Sequence, residues 1–116
     1  MSNFYRPYFQ EYADLAFSDS LYETLDEFKS MALEVKATDS KLIFAGNGAS
    51  AAISAHAAVD FTKQAKIRGI TFNEADLITC FSNDYGYENW MSEAIKAYSK
   101  NSDAIHFHRR NLDDFC

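Results

Sequence analysis

One stretch decides the fold of this chain, Lys41-Leu-Ile-Phe-Ala-Gly-Asn-Gly-Ala-Ser50. Its continuous apolar run at residues 42–45 is typical of a strand covered on both faces, as in a parallel sheet between two layers of helices. The glycines that follow predict a tight turn, after which we expect a helix to begin at Ser50. Because a helix start directs unpaired backbone N–H groups and a positive dipole at one point, the turn predicts a place where a phosphate binds.

Strand-like and helix-like stretches alternate downstream of this turn. The predicted elements are a helix over residues 50–64, a strand over 70–72, a helix over 89–100 and a strand over 104–108. Residues 77–81 fit either a strand or a helical turn, because a short apolar run does not distinguish the two. Asn83-Asp84-Tyr85-Gly86 is a turn by composition. The alternation predicts an α/β fold, with three αβα layers around a parallel sheet and right-handed crossovers.

A helical arm is expected before this core. Apolar residues recur there at alternate steps of four and three and predict one stripe along a helix: Leu21, Leu25, Phe28, Ala32 and Val35. Ser20 and Glu23 suggest a capping box at its start, and residues 38–40 a stop. The stripe packs on the chain's own core or pairs with another helix; two heptads are short for a coiled coil, which favours the core. The aromatic-rich residues 4–9 fit docking on a neighbour.

Composition excludes some classes of function. The 116 residues make one domain, and 47% hydrophobic with 24% charged residues is ordinary for a globular protein. A net charge of -6 argues against a nucleic-acid partner, which needs a clustered basic surface. No run reaches the length of a membrane span, and the first residues lack the order of a signal peptide, so we expect a cytoplasmic protein without a membrane partner. Cys80 lies in an apolar run and is expected to be a buried thiol.

The residues of the glycine turn limit the classes of phosphate ligand that can bind there. A dinucleotide fingerprint needs a third glycine where this chain has Ala51, and no Gly-Lys-Ser/Thr of a nucleotide P-loop follows. What remains is a set of backbone donors, an amide and a hydroxyl, from Gly46, Asn47, Gly48 and Ser50. These groups suit one phosphate and some sugar hydroxyls better than a pyrophosphate.

His56 and Asp60 are four residues apart on the same predicted helix and so share a face. We expect that face one and two or more turns below the phosphate site, where an imidazole and a carboxylate can bind a metal or move protons. The alternative is a surface ion pair worth about 0.3–0.5 kcal/mol, which the spacing alone favours. His106 and His108 would share a face of the last strand and could bind a metal, but we interpret them as incidental.

Taken together, these blocks resemble a known family. Gly46-Asn-Gly-Ala-Ser50, followed by His56, Asp60 and Asn83-Asp84-Tyr85-Gly86-Tyr87, is similar to the sugar isomerase (SIS) domain of the phosphoheptose isomerases, over residues 4–103. The resemblance implies binding of a phosphorylated sugar and an aldose–ketose isomerisation, sedoheptulose 7-phosphate to heptose 7-phosphate, for surface polysaccharide precursors. It also implies a homo-oligomer, a tetramer whose N-terminal helices pack together.

The same resemblance assigns roles to single residues. It implies that Asn47, Gly48 and Ser50 bind substrate, with Ser50 on the phosphate, and that Asp84 helps line the sugar site. His56 matches a zinc ligand of the family. Asp60 stands where the family carries a glutamate, and it is expected both as a zinc ligand and as the catalytic base. Its side chain is one methylene shorter, a change that can displace a base by about an ångström.

The chain departs from the family near its end. The serine-rich loop, Ser-x-Ser-Gly-x-Ser, that completes the family's phosphate site is not found after residue 103. We therefore expect a partial domain over residues 1–116 that lacks its C-terminal part, through a truncation or a frameshift. It divides into a helical arm (1–38), the first half of the phosphosugar-binding core (39–103) and an atypical tail (104–116). A non-catalytic sugar-phosphate sensor or protein-binding module, or an inactive fragment, is the alternative function.

Overall fold

The computed structural model describes residues 3–108, with the backbone alone for residues 106–108. Its elements in chain order are the helices α1 (Tyr5–Ala16) and α2 (Asp19–Ala37), strand β1 (Leu42–Gly46), helix α3 (Ala49–Asp60) with a π-helical continuation (Phe61–Ala65), strand β2 (Gly69–Thr71), helices α4 (Ala75–Tyr85) and α5 (Trp90–Tyr98), and strand β3 (Ala104–His108). The chain divides into two compact units, Met1–Met31 and Ala32–Cys116, so the boundary falls inside α2.

The helical arm is confirmed, as two helices. α2 begins at Asp19, so Ser20 lies inside the helix and the predicted capping box of Ser20 and Glu23 is wrong. The carbonyl of Ser18 instead accepts the N–H of Leu21 at 3.1 Å. The predicted end of the helix is confirmed, since α2 stops at Ala37.

The apolar stripe of α2 is exposed in its first half and buried in its second. Ala32 and Val35, in the second unit, are buried, whereas Leu21 and Leu25 in the first unit are exposed. The exposed large apolar side chains of the first unit also include those of α1 and its flanks: Phe4, Tyr5, Tyr8, Phe9, Tyr12, Leu15 and Phe17. The interpretation of the stripe as core is therefore confirmed only for its last two residues.

The second unit is built on a three-stranded parallel sheet. β1 is the central strand in the order β2-β1-β3, with Ile43 opposite Ile70 on one side and Ile105 on the other. All five residues of β1 are buried. Because neighbouring side chains of a strand point to opposite faces, this burial requires helices on both sides of the sheet.

Side-chain contacts identify the two outer layers. Ile43 belongs to a buried cluster with Phe72, Trp90 and Ala94, against which partly buried side chains of α4 and α5 pack. On the opposite face, the ring of Phe44 lies 5.3 Å from that of Phe61, which follows α3. The predicted α/β fold class, with a parallel sheet between helical layers, is confirmed.

The stretch around residues 77–85 is helical throughout. The carboxylate of Glu74 accepts the N–H groups of Asp76 and Leu77 and so caps the start of α4. The predicted turn over residues 83–86 is wrong for its first three residues, which form the last turn of α4. Gly86, with φ 85°, ends the helix. Cys80 is exposed, so the expected buried thiol is wrong.

The predicted strands and the remaining helices are confirmed within a residue or two. The continuous helix expected over residues 50–64 is an α-helix that passes into the π-helical segment after Asp60. Cys116 and residues 109–116 of the expected tail lie outside the described residues. Within the described part, no helix is both long and apolar enough to cross a membrane.

Candidate functional site

The glycine turn joins the carboxyl end of β1 to the start of α3. A side-chain carbon added at Gly46 would lie 2.5 Å from the carbonyl oxygen of Ser50, so the strand and the helix approach too closely for any other residue. Gly48 has φ 58° and ψ -126°, a conformation that L side chains rarely adopt. α3 therefore begins at Ala49, one residue before the predicted start, and Ser50 lies in its first turn.

The backbone N–H groups of this turn are largely engaged within it. The N–H of Ser50 donates to the carbonyl of Asn47 at 3.1 Å, and that of Ala51 to the carbonyl of Gly48 at 3.0 Å. The N–H of Gly48 donates to Oδ1 of Asn47 at 3.2 Å. The expected cradle of unpaired N–H groups is therefore wrong for these three residues, because the turn closes on itself. The side chains of Asn47 and Ser50 remain the candidate ligand groups.

Asn47 joins the glycine turn to the second motif block. Its amide Nδ2 donates to the hydroxyl of Tyr87 at 2.9 Å, and that hydroxyl also lies 3.2 Å from Oδ1, to which it donates. The two residues are 40 positions apart in the sequence. The two motif blocks are far apart in the sequence, and this contact brings them together in the structure.

Asp84 lies in the last turn of α4 and is exposed. Its Oδ1 accepts the side-chain amide of Asn83 at 3.0 Å. The carboxylate thus has a local partner, which holds it at the end of α4, three residues before Tyr87. The contact that reaches the glycine turn is made by Tyr87, and the predicted role of Asp84 in lining the sugar site stays a prediction.

His56 and Asp60 pair with each other on the outer face of α3. Nε2 of His56 lies 3.3 Å from Oδ2 of Asp60, and their side chains are 79% and 53% exposed. His56 follows Ser50 by six residues, which at 3.6 residues per turn places it about 240° around the helix. The pair lies one and two or more turns beyond Ser50 along α3, as expected, but on a different face of the helix: Ser50 is half-buried, whereas the pair faces solvent.

The pair borders an open apolar hollow on α3. Its other lining residues are Ala52, Ile53, Ala57 and Phe61. The hollow combines an apolar surface with an imidazole and a carboxylate 3.3 Å apart, two groups that can take or give a proton.

Zinc does not fit the described residues by themselves. Imidazole and carboxylate are ligands that zinc accepts, but protein sites supply at least three of them. Within residues 3–108, leaving aside the side chains of residues 106–108, no group of three His, Cys, Asp or Glu side chains is close enough to hold a metal ion. His56 and Asp60 supply two ligands, and the predicted role of His106 and His108 falls on side chains outside the description.

Tyr87 is the site residue that the sequence reasoning missed. It lies inside the block Asn83-Asp84-Tyr85-Gly86-Tyr87, in which the sequence resemblance assigned a role only to Asp84. The available signal was the glycine before it: Gly86 ends α4 with a positive φ and redirects the chain, so the next side chain points to a new direction.

Comparison with known proteins finds similar sequences and a similar fold. The chain is 28% identical over 104 residues to the phosphoheptose isomerase of Maridesulfovibrio salexigens, covering 84% of this chain and 46% of that protein. It is 27% identical over 93 residues to the phosphoheptose isomerase of Aliarcobacter butzleri, covering 75% and 49%. The chain thus spans about half the length of the curated relatives it matches. No protein-family model matches it.

A solved structure has the same fold. The phosphoheptose isomerase of Neisseria gonorrhoeae superposes with a TM-score of 0.62 at 23% identity, over 85% of this chain and 59% of that one. At this identity the structural likeness establishes the fold alone. The similarity to the phosphoheptose isomerases in sequence rests on the two matches above. The resemblance of this chain to the phosphoheptose isomerases is therefore confirmed, in sequence along about half of their length and in fold.

Proposed function

We propose that this chain binds a phosphorylated sugar at the glycine turn and acts as an aldose–ketose isomerase of the phosphoheptose isomerase type. Its substrate would be sedoheptulose 7-phosphate and its product a heptose 7-phosphate, in the cytoplasm. Asn47 and Ser50 would hold the ligand, with the hydroxyl of Ser50 on the phosphate, and the exposed Asp84 would line the sugar side.

One observation carries the proposal: Asn47 and Tyr87 bring the two motif blocks together at the carboxyl end of β1. Ligands of open parallel sheets bind outside the carboxyl ends of the strands, where the strand order reverses. The order β2-β1-β3 has that reversal between β1 and β3, since the chain leaves β1 toward one neighbour and returns on its other side. The glycine turn lies at this point.

The reaction needs one base that moves a single proton. A carboxylate removes the proton from the hydroxyl-bearing carbon beside the carbonyl, giving an enediolate, and returns it to the former carbonyl carbon. A second proton passes from the hydroxyl oxygen that becomes the new carbonyl to the former carbonyl oxygen, so the carbonyl shifts by one position. Asp60 is the candidate base, and its contact with His56 orients the carboxylate. Because both side chains are exposed on the outer face of α3, water is excluded from a sugar reacting there only if another surface covers that face.

A second copy of the chain would supply that surface. The outer face of α3 also exposes Ile53 and Val59, and exposed aromatic side chains run along α1. Apolar surface of this kind is typical of protein interfaces. We therefore include a homo-oligomer, a tetramer as the resemblance implies, in the proposal. A zinc ion in this assembly would take His56 and Asp60 as two ligands and would need at least one more from another copy of the chain.

Ligand-induced stabilisation tests the binding half of the proposal. Sedoheptulose 7-phosphate is expected to raise the melting temperature of the chain, because a ligand that binds only the folded state stabilises it. Ser50→Ala should weaken binding about tenfold or more, the cost of losing a hydrogen bond to a charged group. Ser30→Ala is the matched control, since its hydroxyl bonds the carbonyl of Asp26 on α2. No rise in the wild-type chain would refute the proposal.

A second function is favoured by the position of His56 and Asp60. Because this pair faces away from the half-buried side of α3 that carries Ser50, the candidate base Asp60 does not adjoin the proposed binding turn. A non-catalytic sugar-phosphate sensor or protein-binding module would look the same. Conversion of sedoheptulose 7-phosphate by the wild-type chain, abolished in Asp60→Asn, identifies the isomerase; binding without conversion identifies the sensor.

A further inference from the structure

We propose that Tyr87 is a positioning residue that fixes the side-chain amide of Asn47 so that one amide hydrogen is presented to the sugar. The inference rests on the proposed sugar-phosphate function and deepens it, because it concerns how the turn distinguishes a sugar phosphate from phosphate alone.

The hydrogen bonds define the orientation of the amide. Oδ1 of Asn47 accepts from the backbone N–H of Gly48 and from the Tyr87 hydroxyl, both at 3.2 Å. Nδ2 donates to the oxygen of the same hydroxyl at 2.9 Å. A phenol has one hydrogen and can accept as well, so both contacts with Tyr87 are compatible. A reversed amide would place the NH₂ group against the Gly48 N–H, donor against donor, so the orientation is determined.

This arrangement leaves one donor for a ligand. An amide nitrogen carries two hydrogens, and the Tyr87 hydroxyl takes one of them. The other has no acceptor among the residues the structure describes. It is held in a fixed direction beside the turn, where it suits an acceptor oxygen of a sugar. Holding the group before binding reduces the entropy lost when the ligand arrives.

The backbone around Tyr87 is built to hold it there. The N–H of Gly86 donates to the carbonyl of Ser82, and the N–H of Asn89 donates to the carbonyl of Gly86, both at 3.0 Å. The side chain of Asn89 also donates to the carbonyl of Tyr85 at 2.9 Å. The next residue, Trp90, is buried in the core cluster and anchors the turn. Tyr87 itself is 58% exposed, so core packing does not account for its position.

Tyr87→Phe tests the inference, because it removes the hydroxyl and keeps the ring. Tyr85→Phe is the matched control: Tyr85 is also exposed, its ring lies 5.6 Å from that of Phe81, and its hydroxyl has no hydrogen bond within the described part of the chain. Two measurements are made on each full chain. Without ligand, nuclear magnetic resonance follows the side-chain amide signals of Asn47 and the hydrogen exchange of the Gly48 N–H. With ligand, titration gives the affinities for sedoheptulose 7-phosphate and for inorganic phosphate.

In Tyr87→Phe we expect shifted Asn47 signals and faster exchange at Gly48. We also expect affinity for sedoheptulose 7-phosphate to fall about two- to tenfold, the range for one hydrogen bond, with the affinity for inorganic phosphate unchanged. In an Asn47→Ala background the same substitution should have no further effect, since residues that act together are not additive. Tyr85→Phe should match the wild type in both measurements.

The failures are distinguishable. Unchanged Asn47 signals in Tyr87→Phe would overturn the positioning itself, whatever the affinities. Shifted signals with unchanged sugar-phosphate affinity, or an equal loss for inorganic phosphate, would overturn the role in sugar recognition. If the wild-type chain bound neither probe, the proposed function would fail, and the inference about binding would fail with it, although the shifted signals would still record the contact.

Discussion

The two ends of β1 are held in opposite ways. At its amino end, side chains tie the strands together: Asp103, before β3, accepts the backbone N–H of Lys41 at 3.0 Å and that of Lys100 at 2.7 Å, and forms an ion pair with the ammonium of Lys41. At its carboxyl end, the absence of side chains allows the close approach of Gly46 to Ser50. The amino end is fixed by an ion pair and hydrogen bonds, and at the carboxyl end glycine lets the strand and the helix approach each other closely.

The difference separates stability from function. The Asp103 side chain is only 2% exposed, so the carboxylate has exchanged water for protein hydrogen bonds. The groups at the carboxyl end, Asn47 and Gly48, are exposed. In parallel sheets the carboxyl end is also where ligands bind. We therefore expect loss of the Asp103 side chain at the amino end to change the free energy of unfolding, and loss of the Asn47 side chain at the carboxyl end to change binding.

Asp103→Ala is expected to have the largest effect. It leaves Lys41, only 20% exposed in its side chain, without its partner and removes three hydrogen bonds, so the free energy of unfolding should fall by about 2–4 kcal/mol. Urea denaturation measures the change. The control is Asp39→Ala, which removes a carboxylate that is 92% exposed and lies 3.0 Å from Arg68; an exposed pair is worth about 1 kcal/mol or less. Equal effects would show that the buried carboxylate of Asp103 does not hold the amino end of β1.

Gly46→Ala should have the next largest effect on stability. The added carbon would meet the backbone of Ser50, which cannot rotate away, so we expect a loss of about 1–3 kcal/mol. At Gly48 the added carbon would meet nothing within 4 Å, and only the positive φ is costly, about 1–2 kcal/mol. Thermal denaturation of both variants sharpens the comparison. A neutral Gly46→Ala would show that the strand and helix can separate there.

Much of the fold could be predicted because it depends on local patterns. The apolar run of residues 42–45 predicts a buried central strand, and the strand predicted over residues 70–72 lies within one residue of β2 (Gly69–Thr71). The prediction fails at residues 83–85, whose composition favours a turn. There tertiary packing prevails: Leu77, Ile78 and Phe81 pack on the core cluster, and the helix that carries them continues to Gly86.

The site was less predictable, for a different reason. The motif residues are correct as a set of chemical groups, but their arrangement depends on contacts distant in sequence. Nothing local indicates that Tyr87 meets Asn47 or that Asp103 meets Lys41, 62 residues away. Helix periodicity by itself predicts that His56 and Ser50 lie on different faces, because six residues turn the helix by about 240° beyond one full turn.

The smallest predicted effect is the pH dependence of stability that Asp103 gives to the amino end of β1. Burial by itself would raise the pKa of Asp103, but the hydrogen bonds from the Lys41 side chain and from the backbone of Lys100 and Lys41, with the attraction of the Lys41 charge, outweigh it and lower that pKa below its ordinary value of 3.8. A pKa lowered by folding means that the unfolded chain binds the proton more tightly. The stabilisation is therefore complete above the unfolded pKa and is lost as the pH falls through the folded one.

The expected result is a difference in unfolding free energy between the wild type and Asp103→Asn that is constant near neutral pH and shrinks from about pH 5 to about pH 3. Using the difference removes the titration of carboxylates that both chains share. Urea denaturation at each pH measures it, and Asp39→Asn serves as the exposed control. A difference that stayed constant to about pH 3, or grew as the pH fell, would mean that the charge of Asp103 does not hold the amino end. The contrast with the glycine end would then be one of packing alone.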